Sequence, residues 1–297
     1  MAEMYFNLLQ SDRGFNYRWV QPPQVVYLVS TLDEYGNHNI TPVTLGTCVG
    51  VNSLPSPKTS NYYYAFSVGS ADVPDIPVRN AYHNLKTTGE CVISYPGAEL
   101  MEKIWAAALP YPPGIEEMAV AGFTPLPSQQ VKPAGIRECP VNLEARVVHS
   151  LPVGDHYCLF VCQIIGASVD GNVLEKDTAN PMHYGMMEID PLFETTIIPL
   201  ENKAPRMLFG KIDRQNLQRS PDEMGSSKVW MGSFTDWMED ECTRGKITVR
   251  EKERILTLYR SWRENPNPAQ NGQVKQELTR LLQTIVWAGK DEARISS

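Results

Sequence analysis

Over residues 1–200 the apolar positions come in short blocks set apart by turn residues, and beyond residue 200 they recur every third or fourth place. The first pattern belongs to strands, the second to amphipathic helices. "VVYLVSTL" (25–32) is a compact apolar strand, "DEYGNHN" (33–39) a turn centred on Gly36 and Asn37, and "ITPVTLGTCVGV" (40–51) the returning arm of a hairpin. After the loop "SLPSPKTSN", "YYYAFSVGS" (62–70) is a further strand. In "VPDIPVRNAYHNLKTTGE" (73–90) a helix starts near Pro77 and stops before Gly89. "CVISYPG" resumes extended structure, "AELMEKIWAAAL" (98–109) reads as a short helix, and 110–140 as a loop punctuated by proline and glycine. "VNLEARVVHS" (141–150) turns Val141, Leu143, Ala145 and Val147 to one face, and "HYCLFVCQIIGASVD" (156–170) is apolar nearly throughout. Joined at "LPVGD", these two form a second hairpin.

Beyond residue 200 the period changes. "EKERILTLYRSWR" (251–263) sets Ile255, Leu258, Tyr259 and Trp262 on one helical face. "VKQELTRLLQTIVWA" (274–288) does the same with Val274, Leu278, Leu281, Leu282 and Ile285, and "ENPNPAQNGQ" links the two. Many short strands, few helices and no βαβ rhythm predict a mainly β, antiparallel barrel over residues 1–200. Residues 201–297 are expected to form a helical C-terminal extension that packs on the barrel or on a partner subunit. No GxGxxG falls between a strand and a helix, and no GxxxxGK[ST] occurs, so neither a Rossmann fingerprint nor a Walker loop is present.

Charge and cysteine usage narrow the partners. The net charge of −7 divides unevenly: residues 1–200 carry 10 Lys and Arg against 20 Asp and Glu, while residues 201–297 carry 17 against 14. An acidic body argues against nucleic acid or an anionic membrane as partner, because phosphate backbones are gripped by clustered cations. There is no apolar run of 18 residues, and "MAEMYFNLLQSDRG" lacks the basic-then-apolar order of a secretory signal, so the expected compartment is the cytoplasm. Cys48, Cys91, Cys139, Cys158, Cys162 and Cys242 form no CxxC pair and no zinc spacing, and His83, His149 and His183 have no metal-site spacing either. No metal centre is expected.

One segment asks for more than packing. "NITPVTLGTCVG" (39–50) has β-branched residues, yet every second or third position carries a hydroxyl, a glycine or a proline. Taken alone it reads as an edge strand with solvent-facing threonines. It stands, however, first in a series of five: "PPQVVYLVSTLDEYGNHNITPVTLGTCVG", "FSVG", "RNAYHNLKTTGECVIS", "AGFTPLPSQQVKPAGIRECPVNLEARVV" and "GDHYCLFVCQIIGASVDGNVL". In order and spacing this series, from about residue 18 to 195, resembles the flavin reductase-like, FMN-binding split-barrel family. The resemblance implies a six-stranded Greek-key split barrel that forms a homodimer, with each FMN near the subunit interface.

It also implies site residues. Thr41, Pro42, Val43 and Thr44 would face the flavin ring, and Thr47, Cys48 and Ser53 would approach the ribityl phosphate. Main-chain groups freed from regular packing suit that role, because a flavin needs donors at its N5/O4 edge and at its phosphate. Arg79 matches a family Lys or Arg on the phosphate, a group that a guanidinium grips with two parallel hydrogen bonds. Where the family commonly shows a Thr three residues before the match to Asn84, this chain has Ala81, so one hydroxyl contact is missing. Asn84 reads as a structural amide, and Glu144 as a structural carboxylate inside the barrel. His156 matches a family His found in some members near the nicotinamide site; an exposed turn histidine is the equal alternative. Tyr62, Tyr63, Tyr64, Tyr95 and Trp105 are candidates to shield the ring, although most are expected in the core.

Three functions stay open from the resemblance. The first is an NAD(P)H-dependent FMN reductase whose reduced flavin serves a flavin or small-molecule acceptor, or a monooxygenase component. The second is an FMN enzyme for one small organic substrate, with the 201–297 extension narrowing the pocket rather than only enlarging a dimer interface. The third is a non-enzymatic flavin-binding electron carrier. Because the cofactor performs the chemistry, the lack of a conspicuous acid, base or nucleophile counts against none of them.

Overall fold

The computed structural model describes residues 25–50, 62–70, 79–171, 187–188, 198–199, 233–265 and 268–287. The first hairpin forms as its sequence pattern dictates. Strand β1 (Tyr27–Leu32) pairs antiparallel with β2 (His38–Val43), Tyr27 opposite Val43 and Leu32 opposite His38. Their turn is fixed by Asp33, whose carboxylate accepts from the Tyr35 and Asn37 amides at 2.9 and 2.8 Å and from Asn37 Nδ2 at 2.6 Å. Gly36 takes the left-handed φ of 83° that the turn needs.

The returning arm does not continue as one strand. It breaks at Thr44 and Leu45, and β3 (Gly46–Gly50) pairs instead with β4 (Tyr63–Gly69). The remaining strands of the sheet are β5 (Glu90–Tyr95), β8 (Val141–Val153) and β9 (Tyr157–Val169), giving the order β2-β1-β5-β8-β9-β4-β3. The sheet therefore has seven strands rather than the six expected, because the chain turns a corner in the middle of one of them. Only two residues separate β2 and β3, yet they are the two outer strands of the sheet. A sheet whose first and last strands are joined by a two-residue corner must curl until its edges meet there, and this one stays open: it is a split barrel.

Two short ribbons complete the strands: β6 (Pro125–Leu126) with β7 (Gly135–Ile136), and β10 (Met187–Glu188) with β11 (Ile198–Pro199). Helix α1 (Asn80–Thr88) ends at Gly89 in the left-handed conformation, as the glycine signalled; Pro77 lies outside the described residues. A 3-10 turn (Ala98–Leu100) leads into α2 (Met101–Ala107), where one short helix was expected. The 110–140 loop holds an extra turn of helix, α3 (Glu117–Val120). Beyond it come α4 (Phe234–Thr243), α5 (Val249–Glu264) and α6 (Pro268–Trp287), the last kinked at Asn271. The pattern of residues 251–288 announced α5 and α6 but not α4. The linker between them is shorter than predicted, because α6 already starts at Pro268. The expected boundary near residue 200 lies outside the described residues.

Alternation along β1 explains how the parts are joined. Tyr27 and Val29 point into the barrel, where they meet Phe66, Ile93, Leu143, Phe160 and Ile164. Val26 and Leu28 point outward with Ile40, into a second core built from α2, α3 and the three C-terminal helices. A strand buried on both faces reads as an unbroken apolar run, and "VVYLV" is one. Trp237 and Trp262 are fully buried in the chain. Trp262 lies against Gly114, where a Cβ would come within 2.3 Å of the indole nitrogen and where φ is 85°, so only glycine fits that contact.

Candidate functional site

The corner between β2 and β3 joins the two outer strands of the sheet, neither of which has a second strand beside it among the described residues, although on β2 the His38 and Ile40 amides donate to the carboxylates of Glu116 and Glu117 at 3.2 and 3.1 Å. Edge strands present N–H and C=O groups on the side away from the ladder, and here both edges belong to one stretch, residues 38–50. The corner itself is anchored. Gly46 donates its amide to the Thr44 carbonyl at 3.1 Å, and Ser67 donates to the Leu45 carbonyl at 2.8 Å. Inside the corner a Cβ on Gly46 would lie 1.7 Å from the Tyr27 hydroxyl and 2.6 Å from the Ala65 carbonyl oxygen, so the bend exists only because residue 46 has no side chain. Val43 is buried in the barrel, Thr41, Pro42 and Thr44 are half-buried, and Thr47 and Cys48 are exposed on β3. Pro42 is tolerated because β2 is an edge. Ser53 lies outside the described residues.

Arg79 occupies the N-cap of α1 in extended conformation, its amide donating to the Gly69 carbonyl at 3.4 Å. The first turn of α1 carries no acidic residue and Arg79 makes no side-chain cap. A helix start of this kind, with a guanidinium beside it, is a ready anion site. His156 reaches the same place: exposed in the β8-β9 turn, it accepts on its carbonyl from the Ser70 amide at 2.9 Å, while Tyr157 stands opposite Gly69. The structure thus brings Arg79 and His156 together at the end of β4. It does not bring Cys48 there. Cys48 pairs with Tyr64, five residues before Gly69, which at about 3.3 Å per residue puts it roughly 17 Å along the wall. Arg79 and Cys48 therefore cannot hold one phosphate between them.

Behind β2 lies a polar network that no local sequence pattern announced. Glu117, on α3, is buried and accepts from Asn39 Nδ2 at 2.6 Å, from the Ile40 amide at 3.1 Å and from Asn80 Nδ2 at 3.2 Å. Asn39 turns its amide nitrogen to Glu117 and its oxygen to the hydroxyls of Thr31 and Thr41, which donate to it at 3.3 and 3.1 Å. The Thr41 hydrogen is then committed, and its oxygen meets a ligand as an acceptor. Asn84 donates to the Thr31 hydroxyl at 3.0 Å, the structural role expected of it. Burial pushes the Glu117 carboxyl up to about 8, against the pull of Asn39, Ile40, Asn80 and the Arg79 charge. Burial likewise disfavours the charge on Arg79, and Glu117 and Tyr157 offset that.

The other candidates fall elsewhere. Glu144 does not point into the barrel: Leu143 and Ala145 do, and Glu144 on the opposite face accepts from the amides of Gln129 and Gln130, pinning that loop. Tyr64 and Tyr95 are buried barrel residues, Tyr62 and Tyr63 half-buried, and Trp105 belongs to the helical core. Burial raises the Tyr64 phenol to about 12. His83 and His149 are exposed, and His183 lies outside the described residues. Among the described residues no group of three His, Cys, Asp or Glu side chains could hold a metal ion, and no helix is long and apolar enough to cross a membrane.

The open antiparallel barrel, with a glycine corner between its outer strands and an arginine at a neighbouring helix start, has relatives among known proteins. The flavin reductase-like domain family matches residues 21–190, more than half of the chain, and the protein belongs to that family. The uncharacterized protein YdfE of Bacillus subtilis (strain 168) is 31% identical over 137 residues, which cover 41% of this chain and 58% of YdfE, so the chain spans less than two thirds of that curated relative. Nitrilotriacetate monooxygenase component B from Bacillus cereus shares the fold, with a TM-score of 0.59 at 17% identity over 69% of this chain and 98% of that one. An FMN-binding protein from Thermus thermophilus with bound p-hydroxybenzaldehyde superposes with a TM-score of 0.51 at 12% identity, again over 69% of this chain and 98% of that one.

Proposed function

We propose that the protein is an NAD(P)H-dependent flavin reductase that works through FMN held along the β2-β3 corner. The observation that carries this reading is the corner itself: the glycine bend between the two outer strands, with the start of α1 and Arg79 beside it. Their donor set suits FMN, in which a phosphate dianion and a ring edge rich in acceptors lie at opposite ends. Arg79 and the first amides of α1 take the phosphate, and the main chain of residues 41–48 lies along the rest of the molecule, with Thr41 offering an acceptor to a ring N–H. Because of the separation along β4, Thr47 and Cys48 contact a different part of FMN from Arg79, which divides a set of residues first assigned to one phosphate. Bound FMN supplies hydride acceptance and delivery, so the chain's part is to bind, orient and leave one ring face open.

His156, exposed beside Arg79, borders the approach of the nicotinamide nucleotide, whose own phosphates favour the same cationic end. The exposed apolar side chains of Val148, Leu151, Val153 and Tyr157 on the β8-β9 hairpin, with Leu45 and Val49 at the corner, support a homodimer in which this face is covered. The likeness to a monooxygenase component supports a monooxygenase partner that consumes reduced flavin. Six free thiols agree with a cytoplasmic setting. A second reading, an FMN-dependent reductase of one small organic substrate, is favoured by the aromatic aldehyde seen in the Thermus thermophilus protein. The two separate in one anaerobic experiment. FMN-loaded protein is mixed with NADH or NADPH and its visible spectrum followed, then free flavin is added. Bleaching followed by rapid reduction of the added flavin supports the reductase; bleaching without transfer supports the dedicated enzyme; no bleaching with either nucleotide refutes both.

A further inference from the structure

Helix α3 is a single turn, and a turn of four residues has little stability of its own. Its first residue, Glu117, is 3% exposed and reaches two elements of the flavin site. The carboxyl accepts from Asn39 Nδ2 and the Ile40 amide of β2 at 2.6 and 3.1 Å, and from Nδ2 of Asn80, the first residue of α1, at 3.2 Å. The C-terminal end of α3 faces α6. There the Ala119 carbonyl accepts from Gln283 Nε2 at 2.8 Å and the Val120 carbonyl from the Trp287 indole N–H at 2.9 Å. We propose that α6 is a brace for the flavin site, with Gln283 and Trp287 as positioning residues that act through α3 and Glu117 to fix β2 against the start of α1. The proposal rests on the reading in which FMN spans those two elements.

The last carbonyls of a helix run short of amides from their own chain, and in α3 two side chains of α6 add donors there. The same helix grips α3 at its start, where Lys275 Nζ lies 3.7 Å from Glu116 Oε2, and it reaches the β1-β2 turn, where Lys275 also donates to Asn37 Oδ1. Met118 and Val120 are buried in one core with Leu278, Leu282, Ile285 and Val286, so α3 cannot shift without opening that core. Glu117 carries the restraint onward. Asn39 passes it to the hydroxyls of Thr41 and Thr31 at 3.1 and 3.3 Å, and Asn84 of α1 closes the ring by donating to Thr31 at 3.0 Å.

A ligand held at two separate points gains from finding both already spaced for it, because once one end has bound, the other meets its partner at high effective concentration. FMN is such a ligand here, with its ring along residues 41–48 and its phosphate at the start of α1. Riboflavin, which has the ring and lacks the phosphate, uses only the first. Loosening α3 therefore weakens FMN and leaves riboflavin level. In this way α6 serves the flavin without touching it, a role apart from narrowing the pocket or enlarging an interface.

The test uses the full chain with Gln283→Met and Trp287→Phe combined, which keep apolar bulk and remove both donors, and with Glu117→Met, alone and on top of that pair. Calorimetric titration should show FMN affinity about tenfold lower in the pair and in Glu117→Met. The triple variant should fall within about twofold of the weaker of these, because residues acting through one path do not add, whereas independent sites do. Riboflavin affinity should stay level throughout. Hydrogen exchange of the apoprotein supplies a second readout: the Ile40 amide should exchange faster in the Gln283→Met, Trp287→Phe pair while the central strands β5 and β8 keep wild-type protection. Additive losses or wild-type FMN affinity in the pair would overturn the proposal. A parallel fall for riboflavin, or faster exchange spread over β5 and β8, would overturn it too, by marking a merely structural loss. Should Glu117→Met fail to fold, the pair alone still decides through the comparison of FMN with riboflavin and through Ile40. If the wild type binds no FMN, the flavin-site reading itself has failed, and unchanged exchange at Ile40 in the pair remains the separate result that sinks the brace.

Discussion

Gly46→Ala is the substitution to which the barrel corner is most sensitive. An added methyl group would sit 1.7 Å from the Tyr27 hydroxyl, 2.6 Å from the Ala65 carbonyl oxygen and 2.7 Å from Phe66 Cβ, all inside contact distance. Two of these three are backbone or the root of a side chain and cannot swing away, so the corner has to move. Overpacking of this kind costs about 3 kcal/mol at the upper end of the usual range. For a chain of this size that is roughly 6–12 °C in Tm. The worst clash is with one atom, and that atom is dispensable: the Tyr27 hydroxyl is buried without a hydrogen-bond partner. Tyr27→Phe alone should therefore leave stability unchanged or raise it by about 1 kcal/mol, since it removes an unpaid desolvation. Combined with Gly46→Ala it should recover about 1–2 kcal/mol of the loss, a coupling that a double-mutant cycle in urea measures directly. The backbone clash with Ala65 keeps the rescue partial. FMN affinity should follow the corner, falling in Gly46→Ala and returning in part in the double variant. Wild-type stability in Gly46→Ala, or additive effects of the two substitutions, would refute the reasoning that the corner is packed through Tyr27.

Truncation before Ser233 should produce aggregation rather than a reductase of altered substrate range, because α4, α5 and α6 cover Leu28, Ile40, Ile104 and Met118 with a shared core; a soluble, cooperatively folding truncated protein in gel filtration and thermal melts would contradict this. Stability should also depend on pH in the alkaline direction. The folded protein holds a proton on Glu117 up to about pH 8, whereas the unfolded chain releases it near 4.5, so this contribution is fully present below about 4.5 and is lost as pH rises toward 8. The loss from one proton can reach about 1.4 kcal/mol per pH unit. Urea midpoints of wild type and Glu117→Gln between pH 5 and pH 8 check it: the wild type should lose stability relative to the variant as pH rises, and parallel curves would remove Glu117 as the cause. At acid pH, Asp236 works in the opposite sense, since the hydroxyl and amide of Ser233 hold its carboxylate below the ordinary range and that support disappears as pH falls.

What the sequence made legible is what local pattern controls. The hairpin of β1 and β2 follows from an apolar run, an Asp with Gly three residues on, and a β-branched return; α1 follows from its terminal glycine; α5 and α6 follow from a 3.6-residue period. The extra strand was not legible, because a corner at Gly46 depends on Tyr27 and Phe66 arriving from other strands. Helix α4 has only ten residues and too few apolar positions to show a period, and its Ser233 and Asp236 capping box was the signal available. The candidate site divides in the same way. Residues 41–48 announced themselves by hydroxyls and glycines in a strand. Glu117 did not, since its partners Asn39 and Ile40 lie 78 and 77 positions away and "IEEMAV" looks like any solvated turn. The distance between Arg79 and Cys48 is likewise a matter of register along β4, which no local pattern specifies.

Hydrogen exchange of the apoprotein with and without saturating FMN, resolved to short peptides, tests the central claim most directly. The account predicts slowed exchange confined to residues 41–48 and to the first turn of α1 after Arg79, where unpaired amides acquire an acceptor. Binding of FMN with no change in either segment, or with protection elsewhere on the chain, would contradict it.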